Sequence, residues 1–310
     1  MHALNTLLAT YRPGQLPEPG IYEGIARDDY FSWPCLNNSL LKHATRTLAH
    51  FRHAMETPTE PTDAMRFGTL AHSGILEPLQ LANQYAVMPD LTEGITTANG
   101  QPAASPKATK QYKQRVAEWE AANSTKEIVE QEWLDDVIAM HAQLLRNDRA
   151  MRYLAPRGPV ECAIVWDDPS GVRCKALCDK IDNYSCRIAD YKTTRDLRRF
   201  DRAIIDFSYD MQGAFYLDGI SAIQSGKWQF AIVAQESSAP FLLQADVLPK
   251  EQITEGRRIY REALEKVAHA AEVDHWPGYG DPDWSRPHWA TKDEQSVGDW
   301  LRENQEEPPE

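Results

Sequence analysis

Apolar residues recur at helical spacing through much of the first half of the chain and at alternate or continuous positions through the stretch that follows. Residues 1–20 carry Pro13, Gly14, Pro17, Pro19 and Gly20, which break any helix and predict an irregular segment. Asn37 or Asn38 offers a cap for a helix running through Leu40, Leu41, Ala44 and Leu48. A second helix is expected from Arg66-Phe67-Gly68-Thr69 through Leu70, His72, Ile75 and Leu76 to Pro78. Residues 88–107, rich in Thr, Gly, Ala and Pro, predict a long mobile loop. Helical patterns return over 108–122 and 130–147, with Trp119 and Trp133 as anchors.

Strand patterns then take over at 160–167, 172–180 and 186–193. A helix over 208–224 carries Met211, Phe215 and Ile220 and places Gln212 and Tyr216 one turn apart on one face. Strands at 228–235 and 240–247 and a helix at 250–272 complete the pattern. From Trp276 onward Pro, Gly, Asp and Glu dominate, and the end of the chain (306–310) is expected to be disordered. Helices, then a mostly antiparallel run of strands, then strand–helix alternation predict one α/β domain over 21–275. Its centre is a mixed β-sheet flanked by helices, followed by a Pro-rich acidic tail over 276–310.

A chain of 310 residues is long enough to bury a full core, and its 42% hydrophobic and 25% charged content is that of a globular protein. No apolar run approaches a membrane span, and residues 1–10 lack the basic flank of a secretory signal. Five cysteines, an odd count, point to reduced thiols and a cytoplasmic location. Cys162, Cys174, Cys178 and Cys186 lie close in sequence, but no Cys-x-x-Cys pair occurs, and small buried thiols on strands account for them better than a metal cluster. The net charge of −13 counts against a general nucleic-acid coat protein. It leaves room for a nuclease, because a bound cation and a local basic strip such as Arg195, Arg198, Arg199 and Arg202 can hold phosphates. The same strip also fits a solvated helix face of alternating charge.

The chemistry is concentrated in Asp179-Lys180-Ile181-Asp182 and Asp190-Tyr191-Lys192-Thr193-Thr194. Strand alternation sends Asp190 and Lys192 to one side and Tyr191 to the other. A hairpin that brings Asp179 to Asp190 gathers two carboxylates and an ammonium. Close carboxylates repel unless a cation sits between them, and hard oxygen ligands suit Mg²⁺, with Mn²⁺ as a substitute. Lys192 would then orient or deprotonate a water in phosphodiester hydrolysis. Asp-x-Lys alone is weak, since a chain of this length holds such a triplet about once by chance; taken by itself it fits a surface strand of alternating charge better.

The ordered set is more specific. It runs Gly20-Ile21-Tyr22, Leu36-Asn37-Asn38-Ser39-Leu40, Arg66-Phe67-Gly68-Thr69-Leu70-Ala71-His72, Leu76-Glu77-Pro78, Cys178-Asp179, Asp190-Tyr191-Lys192 and Gln212-Gly213-Ala214-Phe215-Tyr216. This order resembles the RecE-type exonucleases (exonuclease VIII-like, PD-(D/E)XK superfamily) of phages and prophages, over about residues 20–290. The resemblance implies a restriction-endonuclease-like core in which His72, Asp179 and Asp190 hold the metal and Lys192 serves catalysis. It further implies that Gln212 and Tyr216 line the site and contact DNA. Glu161 falls where that family often carries an acidic residue. Cys178 stands where proline often precedes the first aspartate, a proline frequently missing in the superfamily. Ser39 and Arg66 join Arg195, Arg198 and Arg199 as candidate DNA contacts, although Ser39 equally fits a helix cap.

The activity implied is 5′-to-3′ degradation of linear double-stranded DNA from its ends. It leaves 3′ single-stranded tails for a RecT-like annealing protein in recombination, and the enzyme is implied to be a homo-oligomeric ring. The alternatives are an endonuclease or nickase of the same superfamily, a non-catalytic DNA-end-binding protein, and an interaction protein whose acidic tail mimics DNA.

Overall fold

The structure, a computed structural model, describes residues 17–57, 60–97, 99–155 and 158–280. Most of the irregular segment expected over 1–20, and the tail beyond residue 280, lie outside them. The chain divides into two units, Met1–Trp276 and Pro277–Glu310, and every element named below belongs to the first.

Strand β1 (Gly20–Tyr22) leads into α1 (Arg27–Ser32), a short helix that apolar spacing does not announce. Asn37 caps α2 (Asn38–Leu41), its side chain accepting from Leu40 N at 2.8 Å. A 3₁₀ turn (Lys42–Thr45) follows, and Thr47 starts α3 (Leu48–Glu56) by accepting from His50 N. The one helix expected from Asn37 through Leu48 is therefore three short pieces. The break falls at Thr47, whose backbone is extended and whose hydroxyl supplies a fresh cap. Thr62 caps α4 (Asp63–Leu76), so this helix begins ahead of the expected Arg66.

Helix α5 (Leu81–Gln84) precedes β2 (Tyr85–Ala86), which pairs in parallel with β3 (Glu127–Ile128). The chain between them, including α6 (Lys110–Ala122), is an excursion whose two ends are held side by side. The expected loop over 88–107 holds a Thr96–Pro102 bridge, and a 3₁₀ turn (Pro106–Ala108) straddles its end. Helix α7 (Gln131–Leu145) ends where Asn147 caps α8 (Asp148–Leu154), accepting from Ala150 N at 2.9 Å.

Strands β4 (Val160–Asp167), β5 (Arg173–Asp182) and β6 (Arg187–Thr194) are successive antiparallel neighbours. Helices α9 (Phe200–Asp206) and α10 (Tyr209–Ile223) cross over to β7 (Gln229–Glu236), which runs parallel to β6. Strand β8 (Leu243–Val247) is antiparallel to β7, and α11 (Lys250–Val273) closes the fold. The sheet order is β1-β4-β5-β6-β7-β8. The architecture is α/β, a mixed central sheet flanked by helices, as the sequence pattern predicts.

Two apolar clusters pack on this sheet. One joins Leu41, Cys178, Ile181, Phe215, Phe230 and Val267 with α10 and α11. The other joins Leu70, Ile75, Val137, Met140, Tyr191 and Val233 with α4 and α7. With both faces covered, β4 and β7 are almost continuously apolar. A fully buried side chain such as Phe230 or Met140 contributes about 1.5–3 kcal/mol. Helix α4 approaches α7 through Gly74, where a Cβ would lie 2.2 Å from Val137 Cγ1, so only glycine fits. All five cysteines are free thiols, and Cys162, Cys174 and Cys178 are fully enclosed in the first cluster.

Candidate active site

The β5–β6 ladder pairs Asp182 with Arg187, Ile181 with Ile188 and Lys180 with Ala189, then stops. One step further would pair Asp179 with Asp190. Instead Tyr191 N donates to the Asp179 carboxylate at 2.7 Å, and the strands part. On the other side of β5, Val160 pairs with Lys180 and Cys162 with Cys178, but the intervening Glu161–Asp179 pair is missing. Glu161 has a left-handed backbone, φ 46°, a strained conformation for a residue with a Cβ. Asp179 thus sits where the ladder is interrupted on both sides, its carboxylate free to face a cleft.

The resulting cluster joins groups from several elements. One ligand atom each from His72, Glu161 and Asp179 lies within 4.8 Å of the others. His72 comes from α4, with Nδ1 3.5 Å from Asp179 Oδ2 and its ring edge-on to Tyr191 at 5.3 Å. Burial and then Lys192 push the imidazole down to about 4, so His72 is neutral at physiological pH and its ring nitrogen is free to ligate. Burial, reinforced by Asp179, pushes the Glu161 carboxyl up to about 8. Asp179 is raised to about 6, again mainly by burial, with Lys192 pulling the other way. The two are like charges facing each other, only partly offset by Lys192 and Arg27.

Asp190 lies beside this trio, only 1% exposed. Its Oδ1 accepts from Gln212 Nε2 at 2.8 Å, which ties α10 to β6. Its Oδ2 is 2.6 Å from Lys192 Nζ, a buried charge-assisted pair. Burial raises Asp190 to about 6 against the pull of Lys192. Burial alone would lower the Lys192 ammonium, yet Asp190 and Asp179 outweigh it and hold it above its ordinary value. Lys192 also stands over the Tyr209 ring at 4.9 Å.

A cleft of about 440 Å³ contains His72, Glu161, Asp179, Asp190, Lys192 and Gln212, and Tyr216 and Ser39 also line it. Burial pushes the Tyr216 phenol well above its ordinary value, so it is a neutral hydroxyl. Of the arginines singled out in the sequence, none lines this cleft. Arg66 donates to Glu127 Oε1 at 3.0 Å and to Ile128 O at 3.1 Å, fastening α4 to β3. Arg198 is paired with Asp196, Arg199 is exposed, and Arg195 lines an adjoining groove.

Two features escape sequence reasoning. Arg27, on the short α1, lines the cleft and supplies positive charge toward Glu161 and Asp179. Gln235 is fully buried beneath the site. It accepts from Tyr191 Oη at 2.7 Å and donates to Met140 O at 2.9 Å and Phe241 O at 3.1 Å, fixing the strand that carries Asp190 and Lys192. A glutamine inside the apolar run of β7 was the available signal for it.

Fold and site together define the PD-(D/E)XK class. Within it, the chain belongs to the family described as a PDDEXK-like domain of unknown function (DUF3799), which matches residues 37–286. Among solved structures, one from Eubacterium rectale described as "Putative exonuclease" aligns over 85% of this chain and 95% of its own, at 14% identity and a TM-score of 0.56. At that identity the likeness is one of fold, a restriction-endonuclease-like core. A second, SSO0001, aligns over 59% of this chain and 74% of its own at 14% identity, with a TM-score of 0.27 that carries no argument. No curated protein matches. Among the described residues no helix is long and apolar enough to cross a membrane.

Proposed function

We propose that the protein is a divalent-metal-dependent deoxyribonuclease that digests linear double-stranded DNA from its ends. The observation that carries this reading is the placement of Asp179 between two acceptor-rich neighbours, His72 and Glu161, and the Asp190–Lys192 pair. The residues fit a hard divalent cation. Three carboxyl groups and a neutral imidazole line one cleft, a donor set of hard oxygens and one nitrogen, with Lys192 and Arg27 as the cations beside them. His72, Glu161, Asp179 and Asp190 would hold Mg²⁺, or Mn²⁺ in its place. When bound, the cation polarises the scissile phosphate and lowers the pKa of the attacking water.

The chain's own groups do the rest. Lys192, kept as an ammonium, donates to the attacking water or to a phosphate oxygen and steadies negative charge as it develops. Gln212 fixes the Asp190 carboxylate, while Tyr216 offers a neutral hydroxyl to the substrate. Ser39 and Arg27 line the same cleft, where a phosphate would meet a hydroxyl and a guanidinium.

The finer reading is RecE-like: phage or prophage origin, 5′-to-3′ polarity, a homo-oligomeric ring, a RecT-like annealing partner and a cytoplasmic location. The ordered motif set supports it. Linear duplexes labelled at either 5′ or 3′ ends, digested with Mg²⁺ beside a covalently closed circle, test it. Early release of the 5′ label with an intact circle is expected. Cutting of the circle moves the protein to the endonucleases, and early release of the 3′ label reverses the polarity.

A further inference from the structure

A second groove of about 880 Å³, twice the size of the catalytic cleft, opens directly beside it, and Met65, Thr193 and Tyr209 line both. It lies past the carboxyl ends of the parallel strands β6 and β7, where α/β sheets characteristically open a binding crevice. Its two walls differ. One carries Thr193, Thr194, Arg195 and Ser237, and Arg195 makes no ion pair among the described residues. The other carries Asp63, Glu132 and Asp136 from α4 and α7.

Between the walls runs a short stack of rings. Phe200 lies 6.0 Å from Tyr209 with the planes 29° apart, and Phe207 lies 5.7 Å from Tyr209 at 30°. Tyr209 is the ring beneath Lys192, and Phe207 is 58% exposed, leaving a face on which the stack can continue. Phe67 and Trp133 meet edge to face on the α4–α7 wall.

A ligand for this groove has flat aromatic faces and carries negative charge along one edge only. A duplex presents phosphates on both sides, and the acidic wall repels one of them. A single strand satisfies both walls, with its phosphates on the Arg195 side and its bases on the rings. We propose that the groove holds a segment of single-stranded DNA continuous with the strand in the catalytic cleft, a base stacked on the open face of Phe207. The inference rests on the nuclease reading and adds that the reacting strand is separated from its complement beside the site.

Binding of a fluorescent single-stranded oligonucleotide and of a hairpin-closed duplex, measured with the full chain in EDTA, tests this without any cleavage. Phe207→Ala is expected to weaken single-strand binding about tenfold, with Phe207→Trp restoring it and duplex binding unchanged. Arg195→Ala should flatten the salt dependence of single-strand binding by about one unit of log–log slope. Unchanged single-strand affinity in Phe207→Ala overturns the proposal. So does a variant whose only change is its mass by light scattering, which assigns the groove to a second copy of the chain. A protein that binds through Phe207 yet cuts no DNA with Mg²⁺ or Mn²⁺ supports the groove and removes the nuclease reading.

Discussion

Tyr191 donates its backbone N–H to the Asp179 carboxylate at 2.7 Å, taking the place of a ladder bond between β5 and β6. A charge-assisted bond of this kind holds the carboxylate and keeps the strands apart at the same time. The opening lets α4, from one cluster, and α10, from the other, bring His72 and Gln212 to the same pair of strands.

Lys192 and Asp190 neutralise each other in a buried setting. Lys192→Ala is expected to abolish cleavage and to destabilise the metal-free protein at pH 8 by about 3–5 kcal/mol, the cost of a buried charge left unpaired. Adding Asp190→Asn should recover much of that stability without restoring activity. Urea melts of the two variants decide it, and equal stability of single and double variants contradicts the pairing.

Glu161 is held in a strained backbone to reach the trio. Glu161→Gln should weaken Mn²⁺ binding by at least tenfold in calorimetry while leaving the melting temperature of the metal-free protein at pH 8 equal or higher, because a repelling charge is gone. Unchanged Mn²⁺ affinity takes Glu161 out of the ligand set.

The pH dependence of the metal-free protein follows from the same group. Glu161 ionises near 4.5 when unfolded and at about 8 when folded, so between these values the folded state holds the extra proton. Stability from this group is complete below the unfolded value and is lost as pH rises through about 8. His72, lowered to about 4, works in the opposite direction, but only up to its unfolded value of 6.5. Between pH 6.5 and 8 the metal-free protein should therefore lose stability, and Mg²⁺ or Mn²⁺ should restore most at the upper end. Calorimetric scans across that window check it; a flat profile that Glu161→Gln leaves unchanged contradicts it.

Gln235 accepts from Tyr191 Oη in a fully buried position. Tyr191→Phe leaves that acceptor unpaired and is expected to cost about 1–3 kcal/mol. Activity at a temperature well below the melt should fall only modestly, since Asp190 and Lys192 remain. Loss of activity without loss of stability would give Tyr191 a role in the chemistry itself.

How much of this was legible follows from period and from chain distance. The shared face of Asp190 and Lys192 follows from strand alternation, and their 2.6 Å approach is its consequence. The meeting of His72 with Asp179 has no local signature, because helix packing through Gly74 and Val137 sets it, and only the ordered motifs hinted at it. Glu161 adopts its left-handed backbone without the glycine or asparagine that normally announces one. Arg27 sits on a six-residue helix that begins after Ala26 with no side-chain cap, so neither apolar period nor capping signal marks it. Thr47 divided an expected helix because a threonine inside an apolar pattern reads both as a helix residue and as a new start.

The parting of β5 and β6 makes the candidate site depend on both layers of the fold. The hairpin alone would carry Asp179, Asp190 and Lys192. The layer containing α4 adds the imidazole, and the layer containing α10 adds the amide that restrains Asp190. Neither layer alone holds the whole cluster, so the candidate site exists only where both are packed on the sheet.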